Sequence, residues 1–138
     1  MANFEEMNIL LVDDTPENLY VMTSALEDLE CNIFQADSGQ EALKTLTHKD
    51  FDLVLLDVQM PGMDGFEVAE LMKGNNKTKD VAIIFITAIS KEIKYIQKGY
   101  DVGAENYLFK PIEPDELRSK VETALKYRRF KKLGERTT

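Results

Sequence analysis

Residues 52–65 read DLVLLDVQMPGMDG, and they place a carboxylate at the end of an apolar run. The four residues before Asp57 are apolar at every position, which is typical of a strand covered on both faces in a parallel sheet. Asp57 then lies at the carboxyl end of this strand, where open α/β sheets bind their ligands. The Met60-Pro61-Gly62 turn cannot continue the strand. We therefore take Asp57 as the centre of a candidate functional site.

The composition indicates one globular domain, because 138 residues with 43% hydrophobic content can bury a substantial core. No segment approaches the ~18 apolar residues of a membrane span, and residues 1–7 do not resemble a secretory leader, so the predicted location is the cytoplasm. Cys31 is the only cysteine, which excludes an internal disulfide, and it is interpreted as a buried strand residue. The net charge of −8 argues against general affinity for nucleic acid.

Hydrophobic patterns predict five strands alternating with five helices. The strands are expected at residues 8–12, 31–36, 53–57, 81–86 and 105–109. Helix starts are indicated at Pro16, Ser38, Asp64 and Pro114, and Gly74 marks the end of the third helix. Apolar stripes are expected at Leu19, Met22, Leu26 and Leu29 in the first helix and at Ile93, Ile96 and Tyr100 in the fourth. This alternation predicts a flavodoxin-like doubly wound parallel sheet with strand order 2-1-3-4-5.

Polar residues follow the strands at one edge of this sheet. Asp13 and Asp14 follow the first strand, Asp57 the third, Thr87 the fourth and Lys110 the fifth. Because the first and third strands are neighbours in the predicted order, the three carboxylates should converge. Three neighbouring carboxylates repel one another unless one takes up a proton or a cation binds between them. Because all the available ligand atoms are oxygens, Mg²⁺ is the expected cation.

A metal beside one carboxylate, with an ammonium and a hydroxyl opposite, suits phosphoryl transfer to that carboxylate. Asp57 would be the nucleophile, Lys110 would neutralise phosphoryl oxygens, and Thr87 would donate a hydrogen bond. Tyr107 lies two residues from Phe109 on the same strand face. It could carry the signal by moving between buried and exposed positions, and the alternative is a fixed core aromatic.

Each of these residues also has a purely structural interpretation. An isolated acidic pair such as Asp13-Asp14 usually caps a helix, a lone Thr87 ends a strand, and a lone Lys110 is solvated. The set of five together favours a site. His48 is interpreted as a surface residue.

The motifs resemble the receiver domain of two-component response regulators. They are ILLVDD at 9–14, LLDVQMPGMDG at 55–65, Thr87-Ala88 and GAENYLFKP at 103–111, and the resemblance covers about residues 8–125. It implies that Asp57 accepts phosphate from a sensor histidine kinase or histidine phosphotransfer protein. It further implies that Lys110-Pro111 is a cis peptide and that Mg²⁺ is held by Asp13, Asp14, Asp57 and the Gln59 carbonyl.

The resemblance also implies self-catalysed phosphorylation from small phosphodonors, slow loss of the phosphate and no other enzymatic activity. Thr87 and Tyr107 would be the switch. The partner surface, for an output domain or a homodimer, would comprise the fourth helix, fifth strand and fifth helix, with no direct binding to nucleic acid or membrane. Gln59 stands where asparagine is frequent in the family, which bears on the lifetime of the phosphate.

The basic tail is predicted to continue the last helix. From Lys126 onward the chain carries a net charge of +5, against −13 for the rest, which suits a helix end better than a nucleic-acid contact. Tyr127, Phe130 and Leu133 recur every three residues, which favours a dimer contact or a connector. We therefore expect a receiver domain over residues 1–126 and a basic helical extension or linker over residues 127–138.

Two other classes of protein, phosphatases with an aspartate nucleophile and flavin-binding proteins, share features of this sequence. An aspartate-nucleophile phosphatase of the haloacid dehalogenase kind needs a second acid two residues after the nucleophile, and Gln59 cannot donate a proton there. A flavin-binding protein of the same fold needs a phosphate cradle after the first strand, where Asp13-Asp14 would repel the phosphate. A response regulator is the leading hypothesis, and the phosphatase is the alternative.

Overall fold

The computed structural model describes residues 3–88 and 93–137, with side chains through residue 134. The side chains of Glu135 and Arg136 in the basic tail therefore lie outside the described part. Five parallel strands form one sheet in the order β2-β1-β3-β4-β5, which confirms the predicted topology. The strands are β1 Asn8–Val12, β2 Asn32–Ala36, β3 Leu53–Asp57, β4 Ala82–Thr87 and β5 Asn106–Phe109. The described helices are α1 Pro16–Ala25, α2 Gly39–His48, α3 Gly65–Lys73, α4 Ile93–Asp101 and α5 Pro114–Thr137, with a 3-10 turn at Glu27–Leu29.

The sheet is covered on both faces, as the continuous apolar runs predict. Every residue of β3 and β4 is buried. Alternate side chains of these strands enter two separate cores, because successive residues of a strand point to opposite faces. Leu55 packs on the side of α1 and α5, and Leu56 packs on the side of α2 and α3. None of the helices in the described part of the chain combines the length and the apolar run that a membrane span requires.

Local hydrogen bonds set the starts of α2 and α3. The Ser38 hydroxyl accepts from the backbone N–H of Glu41 at 3.1 Å. Asp64 accepts from the N–H of Glu67, and Glu67 accepts from the N–H of Asp64, which completes a capping box. Gly74 caps the end of α3, as predicted.

Two predictions near the first helix are wrong. Cys31 is half-buried and precedes β2, because the ladder with β1 begins at the pair Asn8–Asn32. Leu26 and Leu29 are buried as expected, but they lie beyond α1: Leu26 caps the helix end, and Leu29 belongs to a tighter 3-10 turn that ends at left-handed Glu30. Apolar spacing of three or four residues suits both kinds of turn, so the pattern alone does not separate them.

The apolar stripe predicted for α4 is confirmed at Ile96 and wrong at its two ends. Ile93 is 82% exposed and Tyr100 is 46% exposed. Tyr95 and Gly99, which were not predicted, join Ile96 on the packed side of this helix. A glycine contributes no side chain to a hydrophobic pattern, so the inward face of α4 has a weak signal in the sequence.

The last helix continues past the core as a charged extension. Arg128 and Lys132 form ion pairs with Asp52, which directly precedes β3 at the end of the sheet opposite Asp57. Asp52 is 4% exposed and also accepts the backbone N–H of Asn8 at 2.8 Å. A buried carboxylate of this kind needs such partners, because an unpaired buried charge is strongly unfavourable.

A neighbouring arginine attaches the same extension to the N-terminal segment. Arg129 donates to the Glu6 carboxylate at 2.8 Å, and its guanidinium lies 4.5 Å from the centroid of the Phe4 ring. The apolar side chains of the extension are exposed instead: Tyr127, Phe130 and Leu133. The inward face of the extension is therefore held mainly by charge and hydrogen bonding rather than by apolar packing.

Replacing Asp52 should release this extension. We expect Asp52→Asn to lower the free energy of unfolding by roughly 1–3 kcal/mol, because Arg128 and Lys132 lose their shared counter-charge while remaining partly solvated. Trypsin should also cleave the extension faster. Urea denaturation and limited proteolysis measure the two effects, with Asp101→Asn as a control because Asp101 is an exposed carboxylate on α4. Unchanged stability and cleavage in Asp52→Asn would show that Asp52 does not hold the extension.

Candidate functional site

The structure brings the three carboxylates of the sequence motif together at one edge of the sheet. Val12 pairs with Leu56 in the ladder between β1 and β3, so the residues that follow them emerge side by side. Oxygens of Asp13, Asp14 and Asp57 all lie within 4.8 Å of one another. Asp13 and Asp57 are buried, whereas Asp14 is exposed. The cluster is thus open to solvent on one side, where a hydrated ion could enter.

Lys110 supplies the positive charge of this cluster. Its Nζ lies 3.4 Å from Asp57 Oδ2 and 3.5 Å from Asp13 Oδ2. The backbone N–H of Lys110 donates to the Thr87 carbonyl at 2.9 Å, which ties the two residues at the ends of β4 and β5. The Lys110-Pro111 peptide is cis, as the family resemblance implies.

Neighbouring donors orient Asp13. The backbone N–H of Thr15 donates to Asp13 Oδ1 at 2.8 Å, and the Asn18 side-chain amide donates to Oδ2 at 3.2 Å. Asn18 lies in the first turn of α1, so the start of that helix holds the carboxylate in place. This contact was not predicted, although an amide in the first turn after an acidic loop is a signal that could have indicated it.

The electrostatic environment of Asp57 disfavours its negative charge when no metal is bound. Burial and then the neighbouring Asp13 carboxylate raise the pKa of Asp57 to about 6, while Lys110 and the Gln59 N–H act in the opposite direction. Among the described residues, three carboxylates face the one ammonium of Lys110, and the side-chain atoms that could bind a metal are all oxygens. These residues fit a hard divalent cation such as Mg²⁺, which would offset the excess negative charge.

Gln59 lies beside the carboxylates with an exposed side chain. Its backbone N–H donates to Asp57 Oδ1 at 3.2 Å, and the role of its carbonyl as a metal ligand stays a prediction. Its side chain borders an open groove of about 510 Å³, lined also by Val58, Met60, Pro61, Asp64, Phe66, Tyr95 and Lys98. An amide at this position does not supply the second acid that a phosphatase of the haloacid dehalogenase kind requires.

Thr87 and Tyr107 both contact α4. Thr87 is buried at the end of β4, and its Oγ1 lies 3.5 Å from the Tyr95 hydroxyl oxygen. The Tyr107 ring is 2% exposed and stacks on Phe109 with 5.9 Å between centroids. Its hydroxyl donates to the Tyr95 carbonyl at 3.3 Å. Tyr107 is therefore buried in this structure, in contact with the helix that also reaches Thr87.

Tyr95 is the residue of this region that the sequence did not indicate. It lies eight residues after Thr87 and twelve before Tyr107, and no local pattern links the three. Only the packing of α4 against β4 and β5 brings them together. His48 is exposed, as expected, and takes no part in the site.

Comparison with known proteins places this cluster in a family. Residues 9–122 match the family model of the response regulator receiver domain. The chain is 38% identical over 133 residues to a probable cyclic di-GMP phosphodiesterase of Vibrio cholerae, across 96% of the chain and 30% of that relative. It is 36% identical over 118 residues to the phosphate regulon transcriptional regulatory protein PhoB of Pseudomonas aeruginosa, across 86% of the chain and 51% of that relative.

A solved structure gives the same result at the level of the fold. The chemotaxis response regulator CheY4 of Vibrio cholerae matches with a TM-score of 0.80 and 29% identity, covering 86% of this chain and 98% of that one. The chain spans about a third of one of these curated relatives and about half of the other, so the activities of those whole proteins are not carried over by the similarity. Because the family model spans 9–122 and includes the whole carboxylate and lysine cluster, the chain belongs to the response regulator receiver domain family.

Proposed function

We propose that this receiver domain accepts a phosphoryl group on Asp57 from the phosphohistidine of a sensor histidine kinase or histidine phosphotransfer protein. Receiver domains as a family are phospho-acceptors that interact with such kinases and with output domains. One observation carries the assignment to Asp57. Its buried carboxylate ends β3 between the Lys110 ammonium at 3.4 Å and the oxygens of Asp13 and Asp14.

In the proposed reaction, an oxygen of Asp57 attacks the phosphorus while the bond from phosphorus to the donor nitrogen breaks, and the electron pair leaves with the imidazole. Lys110 already bridges Asp13 and Asp57, so its ammonium is positioned to follow the phosphoryl oxygens. Thr87 would donate a hydrogen bond to one of them. Mg²⁺ held by Asp13, Asp14, Asp57 and the Gln59 carbonyl would supply positive charge against the same oxygens.

The proposed output follows from the switch residues. Thr87 and Tyr107 would change position after phosphorylation and alter the surface of α4, β5 and α5, where an output domain or a second copy would bind.

Residues 1–126 would form the receiver domain and residues 127–138 the basic helical extension. The exposed amide of Gln59 would influence how long the phosphate lasts. Apart from catalysing its own phosphorylation and dephosphorylation, the domain would not be an enzyme.

Incubation with Mg²⁺ and acetyl phosphate should add one acid-labile phosphoryl group per chain, measured by intact mass. Asp57→Asn should abolish this addition, because an amide is not a nucleophile of this kind. The exposed carboxylate variant Asp101→Asn should be phosphorylated like the wild type. Chelation of divalent metal should suppress the reaction in the wild type and in Asp101→Asn. Phosphate retained in Asp57→Asn, or repeated turnover of a phosphomonoester by the wild type, would contradict the proposal.

A further inference from the structure

The buried position of Tyr107 depends on a glycine of α4. Gly99 is buried next to the hydroxyl end of the tyrosine ring. A Cβ atom at this position would lie 2.1 Å from the Tyr107 hydroxyl oxygen, 2.8 Å from its Cζ and 2.9 Å from Phe85 Cδ2. These separations are far below van der Waals contact, so the phenol occupies the space that any larger residue at position 99 would need.

The ring has little freedom to avoid such a contact within its own site. Tyr107 packs against Phe85, Tyr100 and Phe109, with ring centroids 5.4–5.9 Å away. Its hydroxyl is bound to the Tyr95 carbonyl, one helical turn before Gly99. A displaced ring would therefore leave the core by rotating about its side-chain bonds toward the surface.

We propose that Gly99 and the Tyr95 carbonyl form a receptacle that holds Tyr107 buried, and that Gly99 is thereby a positioning residue for the switch. The inference rests on the proposed function of Tyr107 as a switch residue. Glycine at position 99 lowers the intrinsic stability of α4 by about 1 kcal/mol relative to alanine, yet the packing requires it. Burial, followed by the neighbouring Tyr95, raises the pKa of Tyr107 to about 12, which agrees with a phenol held away from water.

Tyr95 of α4, which binds the Tyr107 hydroxyl, also contacts Thr87, the other proposed switch residue. The Tyr95 hydroxyl oxygen lies 3.5 Å from Thr87 Oγ1, while the Tyr95 carbonyl accepts from Tyr107. A movement of Thr87 toward a phosphoryl group on Asp57 would therefore change the contact between Thr87 and Tyr95, and the Tyr95 carbonyl forms one wall of the receptacle. This contact gives phosphorylation a physical route to the position of Tyr107.

Gly99→Ala tests the receptacle without any phosphodonor. Fluorotyrosine NMR, with the Tyr107 signal assigned through Tyr107→Phe, measures how strongly a soluble paramagnetic reagent relaxes that signal. In the wild type we expect Tyr107 to be relaxed several-fold less than the exposed Tyr20. In Gly99→Ala it should approach Tyr20, because the methyl group displaces the ring. The control is Gly74→Ala, where the added Cβ meets its neighbours at 3.6 Å or more and should leave Tyr107 protected.

A folded Gly99→Ala variant whose Tyr107 stays protected would overturn the receptacle. If Gly99→Ala does not fold, the double variant Gly99→Ala with Tyr107→Ala should recover cooperative unfolding, since the conflicting phenol is gone. Failure of the double variant to recover would also overturn the inference. Failure of acetyl phosphate to modify the wild type would reject the phosphorylation proposal, while the measurements made without phosphodonor still decide whether Gly99 holds Tyr107.

Discussion

Gly65→Ala is expected to lower the free energy of unfolding by roughly 2–3 kcal/mol and to slow phosphorylation of Asp57. Gly65 is the first residue of α3, and its N–H donates to the Val58 carbonyl at 2.9 Å. A Cβ there would lie 2.4 Å from the Asp57 carbonyl oxygen and 2.8 Å from Val58 Cα. Because these are backbone atoms, no side-chain rotation relieves the overlap. The end of β3 must shift, and the Asp57 carboxylate shifts with it.

Urea denaturation and the rate of modification by acetyl phosphate measure the two effects of Gly65→Ala. Gly74→Ala is the matched control at the other end of α3. The added Cβ makes only ordinary van der Waals contacts. Gly74→Ala should raise the free energy of unfolding by about 0.4–1 kcal/mol, because the unfolded chain loses less backbone conformational entropy at alanine than at glycine when it folds. A Gly65→Ala protein with the stability and phosphorylation rate of the wild type would show that the strand end adapts without moving the carboxylate.

Asp57→Asn is expected to be more stable than the wild type in metal-free buffer near pH 7.5, by up to about 3 kcal/mol. The pKa of Asp57 is raised from its ordinary value of 3.8 to about 6, so folding disfavours the ionised form. Below about pH 4 the carboxyl is protonated in both the folded and unfolded states, and its ionisation contributes no penalty. The free-energy cost of holding an ionised Asp57 in the folded state grows between about pH 4 and pH 6, and it reaches its full value above about pH 6. The advantage of Asp57→Asn should therefore shrink as the pH falls.

Added Mg²⁺ should reverse the order of stability at neutral pH. A ligand that binds only the folded state stabilises it by an amount that rises with the logarithm of the ligand concentration relative to its Kd, and removal of Asp57 deletes one of the carboxylates that attract the cation. Thermal unfolding with chelator and with Mg²⁺, over a range of pH, measures both effects. Asp101→Asn is the control for loss of an exposed charge. If the wild type is more stable than Asp57→Asn in chelator at every pH, the attraction between Lys110 and the Asp57 carboxylate is stronger than the combined effect of burial and repulsion from Asp13.

The fold and the carboxylate cluster could be predicted because each depends on a strong local signal combined with a rule of connectivity. The run before Asp57 is apolar at every position, and the alternation of strands with helices leaves few arrangements of a parallel sheet. Once β1 and β3 are neighbours, Asp13 and Asp57 must emerge at the same edge. The weaker predictions failed where the signal was shared by two structures, as at Leu29, or absent, as at Gly99.

The sequence by itself determined the parallel sheet, its order and the acidic edge at Asp57, because periodicity and chain connectivity are properties of the linear chain. Tertiary structure alone decided that Tyr107 is buried against Gly99, that Tyr95 contacts both Thr87 and Tyr107, and that Asp52 binds the extension of α5. These contacts join residues that are distant along the chain or that have no side chain to form a pattern. They depend on the close packing of helices against the sheet, in which the space left by one residue is occupied by another.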